Sequence, residues 1–399
     1  MIPMQPDSNI EILAGTLPNE ARADTPFNDM ACALLTDLST MLMGNAEAKQ
    51  LPDVIAFAFW CRKSQITRLK DRYTDNHIRL GRGTALHISP GNVPINAFYS
   101  FAFGLLAGNN NIVRLASKDS PSVDTVLTAL KKLFKQEPYQ ALAQCNAFVR
   151  YDHSGNATDQ LSATCDARII WGGDKTIAEI RKTAIPARAH EIAFADRYSF
   201  AIFDANAIGQ LSGTEITREA VKFYNDTLQM DQNACSSPHL IVWKSGENTE
   251  ARQRFWETLE EYTAAQYALE PVESVDRYTR LLSGFITGPE QRLLTEPSNP
   301  IQRVQLQTLP ADIDQLRGIY GLFYEYAVTN LQEVAHIVNI KYQTLTYLGL
   351  DKKMLTDFVT LNQLHGIDRI VPNGDALNIN TVWDGHDVLK ELTRIIDVR

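Results

Sequence analysis

The chain has 399 residues, 44% hydrophobic and 21% charged, with a formal net charge of −9. That composition suits a soluble globular protein long enough for two domains with their own cores. An acidic balance without any block of like charge excludes a basic nucleic-acid-binding surface. The longest apolar stretch, Ile95–Ala107, is interrupted by Asn96, Tyr99, Ser100 and Gly104 and is too short to span a bilayer. The opening MIPMQPDSNIEILAG lacks a charged start followed by a long apolar run, so no signal peptide is expected. Five scattered cysteines (Cys32, Cys61, Cys145, Cys165, Cys235) without a CxxC fit a reducing cytoplasm, with no disulfide framework and no metal site.

In chain order, residues 1–79 read as a helical segment, because "MACALLTDLSTMLMG" and "LPDVIAFAFWCRKSQITRLKDRY" space apolar residues by three and four. From Thr84 short apolar strands alternate with helices. "TALHIS" predicts a strand and "INAFYSFAFGLLAG" a helix apolar on nearly every side. "NIVRLAS" is the next strand, and "SPSVDTVLTALKKLF" a helix with Pro121 near its first turn. Strands follow in "NAFVRYD", "ARIIWGG" and "HEIAFADRYSFAIFDA", with helices in "TDQLSATC" and "DKTIAEIRKTA". This alternation predicts an α/β fold with a mainly parallel, doubly wound sheet. Ligands bind such sheets outside the carboxyl ends of the strands, which points at the loops "SPGNVP", "ASKDSP" and "WGGDKT". After the helix "TREAVKFYNDTLQ" comes "MDQNACSSPHLIVW", a polar turn leading into a strand, and then a second α/β segment. That segment holds the long helix "TEARQRFWETLEEYTAAQYAL" and strands near "RVQLQTL", "LFYEYAV" and "TLTYLGL". The expected division is 80–229 for a first α/β domain, 230–370 for a second, and 371–399 for a tail of strand, Gly/Asn loop and amphipathic helix. The boundary is placed near Met230.

Common signatures are missing: no GxGxxG follows a strand, and there is no Walker loop, HExxH or GxSxG. Gly172 and Gly173, followed by Thr176 on the next helix, form the best local phosphate candidate, since glycine lets a backbone approach closely. A plain turn is the competing reading. Asn92, in the loop opened by Ser89 and Pro90, has an amide able to donate to an oxyanion, or simply to shape the turn. Cys235 lies in the turn-forming run Gln232–Pro238, which fits either an exposed, activatable thiol or a small buried residue. His239 is expected to start the next strand, where it would not face Cys235 closely. His87 reads as a satisfied core histidine, and His190–Glu191 as a strand edge rather than a catalytic base.

Taken together, "PGNVP…GLLAGNNNIVRLASKDSP", "WGG" and "DQNACSSP" resemble, in this order, the aldehyde dehydrogenase superfamily. The wording of "HISPGNVP", "GLLAGNNNIVR", "DQNACSSP" and "DRIVPNG…WDG" is closer to its acyl-CoA reductase branch, the LuxC-type fatty acid reductases of bacterial luminescence. The resemblance runs from about Leu80 to the C-terminus. It implies an aldehyde-dehydrogenase-like fold with an NAD(P)-binding domain over 80–229 and a catalytic domain over 230–370. It also implies Cys235 as nucleophile, with the Asn92 amide and the Cys235 N–H as oxyanion donors. Ser89, Pro90, Gly172, Gly173 and Thr176 would lie along the cofactor. Arg114 matches the cofactor-loop lysine of the superfamily, and with Ser117 and Lys118 it would favour the 2′-phosphate of NADPH.

Where hydrolytic members read "ELGGK" this chain reads "AFADRYS" (Ala193–Ser199), and Glu191 is out of register. Two residues rather than one separate Gln232 from Cys235. Without the water-activating glutamate, a thioacyl-enzyme would survive to accept a hydride. The resemblance therefore implies reduction of an acyl-CoA or acyl-protein thioester, long-chain by analogy, to an aldehyde by an NADPH-dependent, cytoplasmic oxidoreductase. It further implies acyl-protein synthetase or acyltransferase partners and a homo-oligomer. Two other readings stay open: an NAD(P)-dependent dehydrogenase oxidising free aldehyde, and an acyl-carrying subunit without a redox step.

Overall fold

The structure is a computed structural model and describes residues 10–73, 77–152, 155–296 and 299–399. Two compact units emerge: Met1–Ala195 together with Thr381–Arg399, and Asp196–Asn380.

Seven strands open the first unit: β1 (Glu11–Gly15), β2 (Ile78–Gly81), β3 (Thr84–Ile88), β4 (Asn110–Arg114), β5 (Asn146–Arg150), β6 (Ala167–Trp171) and β7 (His190–Phe194). Six of them form one sheet in the order β1-β5-β4-β3-β6-β7. Every pairing is parallel except that of β1 with β5. In β3, β4 and β6 every residue is buried, which is why they read as continuous apolar runs rather than as an alternation. Helix Asn96–Leu106 is buried from Ala97 to Leu106, as its all-round apolarity predicts. Gly104 in that helix lets it pass close to the sheet: a Cβ there would stand 1.9 Å from Asn111 Oδ1. Helix Pro121–Phe134 begins with Pro121 after the N-cap Ser120, whose side chain accepts from the Val123 N–H.

The opening segment is not wholly helical. The run Glu11–Gly15 is an edge strand antiparallel to β5, and helices Asp29–Gly44, Pro52–Trp60 and Lys63–Arg72 follow it. A five-residue, half-exposed strand carries little pattern of its own, and its partner is far away in sequence.

The second unit is built on β8 (Tyr198–Asp204), β9 (Pro238–Lys244), β10 (Gln291–Leu293), β11 (Gln302–Leu306), β12 (Leu322–Val328), β13 (Tyr342–Leu348) and β14 (Arg369–Pro372). Their order is β10-β11-β12-β9-β8-β13-β14, all parallel except β10. Side chains of β8 alternate between two cores. Phe200 and Ile202 join Leu240, Tyr324 and Leu345, whereas Ala201 and Phe203 join Trp243, Phe255 and Trp256.

The division between units falls at Ala195/Asp196 rather than near Met230. The expected single strand "HEIAFADRYSFAIFDA" is two strands, β7 in the first sheet and β8 in the second. Because β8 pairs with β9 and β13, the helix Gly213–Thr227 also belongs to the second unit. The tail differs as well. Its helix is only Val388–Glu391, after β15 (Val382–Trp383) and β16 (His386–Asp387), and it ends in β17 (Thr393–Ile396), antiparallel to β2. Among the described residues no helix is long and apolar enough to cross a membrane.

Candidate active site

In the first unit the chain leaves β3 for β4 on one side and returns to β6 on the other. The strand order therefore reverses between β3 and β6, and their carboxyl ends border the crevice where doubly wound sheets bind ligands. The loop after β3 carries Ser89, Pro90 and Asn92, and the loop after β6 carries Gly172 and Gly173. The loop after the adjacent β4 carries Ser117 and Lys118.

Asn92, Ser117, Lys118, Gly173 and Thr176 are exposed. Ser89 is 5% exposed and donates to the Arg114 carbonyl from both its N–H (3.2 Å) and its Oγ, so it ties the β3 loop to β4. Arg114 is also 5% exposed, its guanidinium 5.3 Å from the Tyr151 ring centroid, and burial lowers its pKa. Lys118 is thus the exposed cation of the pair. Gly172 donates to the Phe194 carbonyl, and a Cβ on it would come 3.2 Å from Thr176 Cγ2. A Cβ on Gly173 would meet nothing within 4 Å, which leaves an open approach along that backbone. The helix after it, Asp174–Ile180, has only seven residues and carries Asp174 in its first turn. A carboxylate there competes with any other anion for the helix end, so the glycine backbone rather than the helix pole is what this loop offers.

His87 is fully buried, with Nδ1 2.7 Å from Ser100 Oγ and Nε2 2.9 Å from Asn111 Oδ1. Burial pushes it down to about 4. Glu191 is held by Arg168 and Arg181, whose guanidinium groups outweigh its burial and keep its pKa below the usual carboxylate range. His190 Nε2 lies 3.1 Å from Glu391. Each of the three is thus tied to other side chains of the first unit.

In the second unit, Cys235 lies at the amino ends of the parallel strands. Helix Gly213–Thr227 runs into a short 3-10 turn. Asp231 and Gln232 then adopt left-handed φ of 53° and 58°. A turn closed by Ser237 N–H on the Ala234 carbonyl (2.9 Å) carries Cys235 just ahead of β9. Gln232 is 3% exposed and fixes this entry: its Oε1 accepts from Gly321 N–H (2.8 Å) and its Nε2 donates to the Leu322 carbonyl (3.2 Å).

Cys235 is half-buried. Its carbonyl accepts from Ser199 Oγ at 2.7 Å, and its Sγ accepts from Gln343 Nε2 at 3.3 Å. Ser199 in turn accepts from Thr344 N–H (3.1 Å), so the first residues of β8 and β13 hold the cysteine turn. His239 is on β9 as expected. Its Nδ1 lies 3.0 Å from the Gly318 carbonyl, and burial pushes it down to about 3, so it brings no positive charge to the thiol. Ser199, Gln343 and Thr344 are the residues that sequence reasoning missed. The adjacent polar residues Gln343 and Thr344 near the start of "YQTLTYL" were the available signal. A cavity of about 570 Å³ also opens in this unit. Tyr267 on its wall donates to Asp231 at 2.5 Å, which links that wall to the turn ahead of Cys235.

Comparison with known proteins identifies the family and the fold. The profile of the family described as acyl-CoA reductase (LuxC) matches residues 30–277. A long-chain acyl-protein thioester reductase of Vibrio harveyi is 21% identical over 323 residues, which make up 79% of this chain and 63% of that protein. The chain therefore spans less than two thirds of that relative's length. Among solved structures, indole-3-acetaldehyde dehydrogenase in complex with NAD+ superposes with a TM-score of 0.66 at 12% identity, over 92% of this chain and 83% of that one. An NAD-dependent benzaldehyde dehydrogenase from Corynebacterium glutamicum gives 0.62 at 12% identity, over 97% of both chains. The fold is thus aldehyde-dehydrogenase-like, two parallel α/β sheets with Cys235 at the strand ends of the second. With more than half of its residues matched by that profile, the chain belongs to the acyl-CoA reductase (LuxC) family.

Proposed function

We propose that this protein reduces a fatty acyl thioester to the aldehyde through a thioacyl intermediate on Cys235. The observation that carries the reading is the setting of that thiol: a half-buried sulfur in a turn anchored by Gln232 and Ser199, with an amide N–H donating to it. Membership of the family and the name of the Vibrio harveyi relative support the substrate class.

In this reading the Cys235 thiolate attacks the thioester carbonyl, and the donor thiol leaves with a proton. The Cys235 N–H takes the role of an oxyanion donor. A reduced nicotinamide dinucleotide, held by the loops of Ser89, Lys118 and Gly173, would supply the hydride that takes the acyl group to the aldehyde level. Cys235 carries that group and is released as free thiolate when its C–S bond breaks and the aldehyde leaves. Glu191, bound to two arginines below its usual pKa, is unsuited to activating water for hydrolysis.

The residues present fit a dinucleotide. The strand-order reversal, the open backbone at Gly173 and the exposed Ser117 and Lys118 offer a polar edge with room for a pyrophosphate and a cation for a phosphate. Lys118 favours NADPH, while the buried Arg114 and Ser89 shape the wall beneath it. The donor is a coenzyme A or protein thioester, long-chain by analogy with the relative, and acyl-activating or acyl-transfer proteins are the expected partners. A cytoplasmic homo-oligomer completes the proposal.

The test is trapping. Incubation with a long-chain acyl-CoA and no nucleotide should acylate Cys235, as peptide mass spectrometry would show, and NADPH should then release aldehyde. Stable acylation that survives NADPH would favour an acyl carrier, and steady acid formation from aldehyde would favour an oxidative dehydrogenase. Lys118→Ala should raise KM for NADPH roughly tenfold and leave NADH nearly unchanged, as expected when a charge-assisted phosphate contact is lost; equal effects on both nucleotides would remove Lys118 from that role.

A further inference from the structure

We infer that Gln343 is the positioning residue of the Cys235 thiolate: a β-bulge and Thr344 fix its side-chain amide so that a donor, not an acceptor, faces the sulfur. The inference rests on Cys235 being the nucleophile.

The bulge comes first. Between β13 and β8, Tyr342 lies opposite Tyr198 and Leu345 opposite Phe200, so Gln343 and Thr344 together oppose the single Ser199. Bulges of this kind re-aim a side chain at the end of a ladder. Gln343 is 1% exposed, and a buried amide must find partners at both ends. Thr344 Oγ1 donates to Gln343 Oε1 at 3.3 Å, and Gln343 Nε2 donates to Cys235 Sγ at 3.3 Å.

The direction of this relay is set by a group that can only donate. Arg369 Nη1 donates to Thr344 Oγ1 at 3.3 Å, which leaves the hydroxyl hydrogen for Gln343. Arg369 is itself anchored on the carbonyls of Asp375, Ala376 and Asn378. The same loop is gripped from below by the Asp226 carboxylate, which accepts from Gly374 N–H (2.7 Å) and Ala376 N–H (2.9 Å). The Asp226 carbonyl accepts from Ser237 Oγ at 2.8 Å, two residues beyond Cys235. A closed ring therefore runs Cys235, Ser237, Asp226, the loop 374–376, Arg369, Thr344, Gln343 and back to the sulfur.

A hydrogen bond donated to sulfur is stronger for the thiolate than for the thiol, so the ring biases Cys235 toward its ionised form. Among the described residues, the titratable groups on the elements that hold it include the neutral His239 on β9, the neutral Tyr198 and Tyr342 at the starts of β8 and β13, Arg317 over the Tyr198 ring, Asp231 in the turn ahead of Cys235, and Asp226 and Arg369 within the ring.

The experiment measures the rate of iodoacetamide alkylation of the Cys235 peptide as a function of pH, by mass spectrometry, in the full chain. Gln343→Met, which keeps volume and removes the donor, should raise the midpoint of that profile by about one pH unit, a tenfold loss of thiolate below it. Thr344→Val should raise it by less. Circular dichroism and the unfolding midpoint check that both variants fold. A merely structural role would change reactivity equally at every pH, and an unmoved midpoint in folded Gln343→Met would overturn the inference. Wild-type protein that fails to reduce any acyl thioester while the midpoint still shifts would sink the proposed reaction instead.

Discussion

His87 and His239 are buried imidazoles, held near pH 4 and pH 3 by the loss of solvent around them. Their folded pKa values lie below the ordinary value of 6.5, so on acidification the unfolded chain takes up these protons first. The stability they allow is complete above about pH 6.5 and is lost as the pH falls toward 4. Asp226 works the other way, because burial lifts it to about 7 against the pull of two backbone N–H groups. A difference between variants separates the contributions. His87→Gln should remove one histidine's share, so the stability gap between wild type and variant should shrink by about 1.4 kcal/mol per pH unit between about pH 6 and pH 4. Urea unfolding across that range measures it, and a gap independent of pH would contradict the assignment. At this scale the sequence carried the local settings of Cys235 and His87. A cysteine in a polar turn and a histidine inside an apolar strand both announce their settings locally. Gln343 and Ser199 do not, because their roles depend on the register between strands more than a hundred residues apart in the chain.

Elements in this fold are held by polar groups as well as by apolar faces. Glu325 on β12 is fully buried, where it accepts from Arg252 (3.1 Å), Arg303 (3.1 Å), Trp243 Nε1 (2.7 Å) and Trp256 Nε1 (3.2 Å). It thereby ties β12 to β9, β11 and the helix Thr249–Gln266. Glu325→Gln would leave two buried guanidinium groups without their counter-charge. A loss of about 3–5 kcal/mol of stability is expected, read from the denaturant midpoint; a loss below 1 kcal/mol would show that the arginines find solvent or other partners. The strands of both sheets' interiors were legible because burial on two faces leaves unbroken apolar runs. Edge strands were not: β1 and β17 gain their structure from antiparallel partners rather than from their own pattern. The break at Ala195–Arg197 hid for a similar reason. Apolar residues continue across it, but Arg197 turns to the Lys341 and Tyr342 carbonyls, which belong to the second sheet.

As a whole, the molecule combines two parallel α/β sheets with different uses of their strand ends. In the first, exposed loops gather at the carboxyl ends where the strand order reverses. In the second, the amino ends of β8, β9 and β13 converge on one cysteine. The chain belongs to the acyl-CoA reductase (LuxC) family and its fold is aldehyde-dehydrogenase-like, while the proposed chemistry is argued from the thiol's setting. The most direct test of the central claim follows NADPH oxidation and aldehyde release with a long-chain acyl-CoA, comparing wild type with Cys235→Ala. Aldehyde in step with NADPH loss is expected in the wild type, with a drop on the order of 10⁴-fold or more in the folded variant. Turnover retained by Cys235→Ala would contradict it.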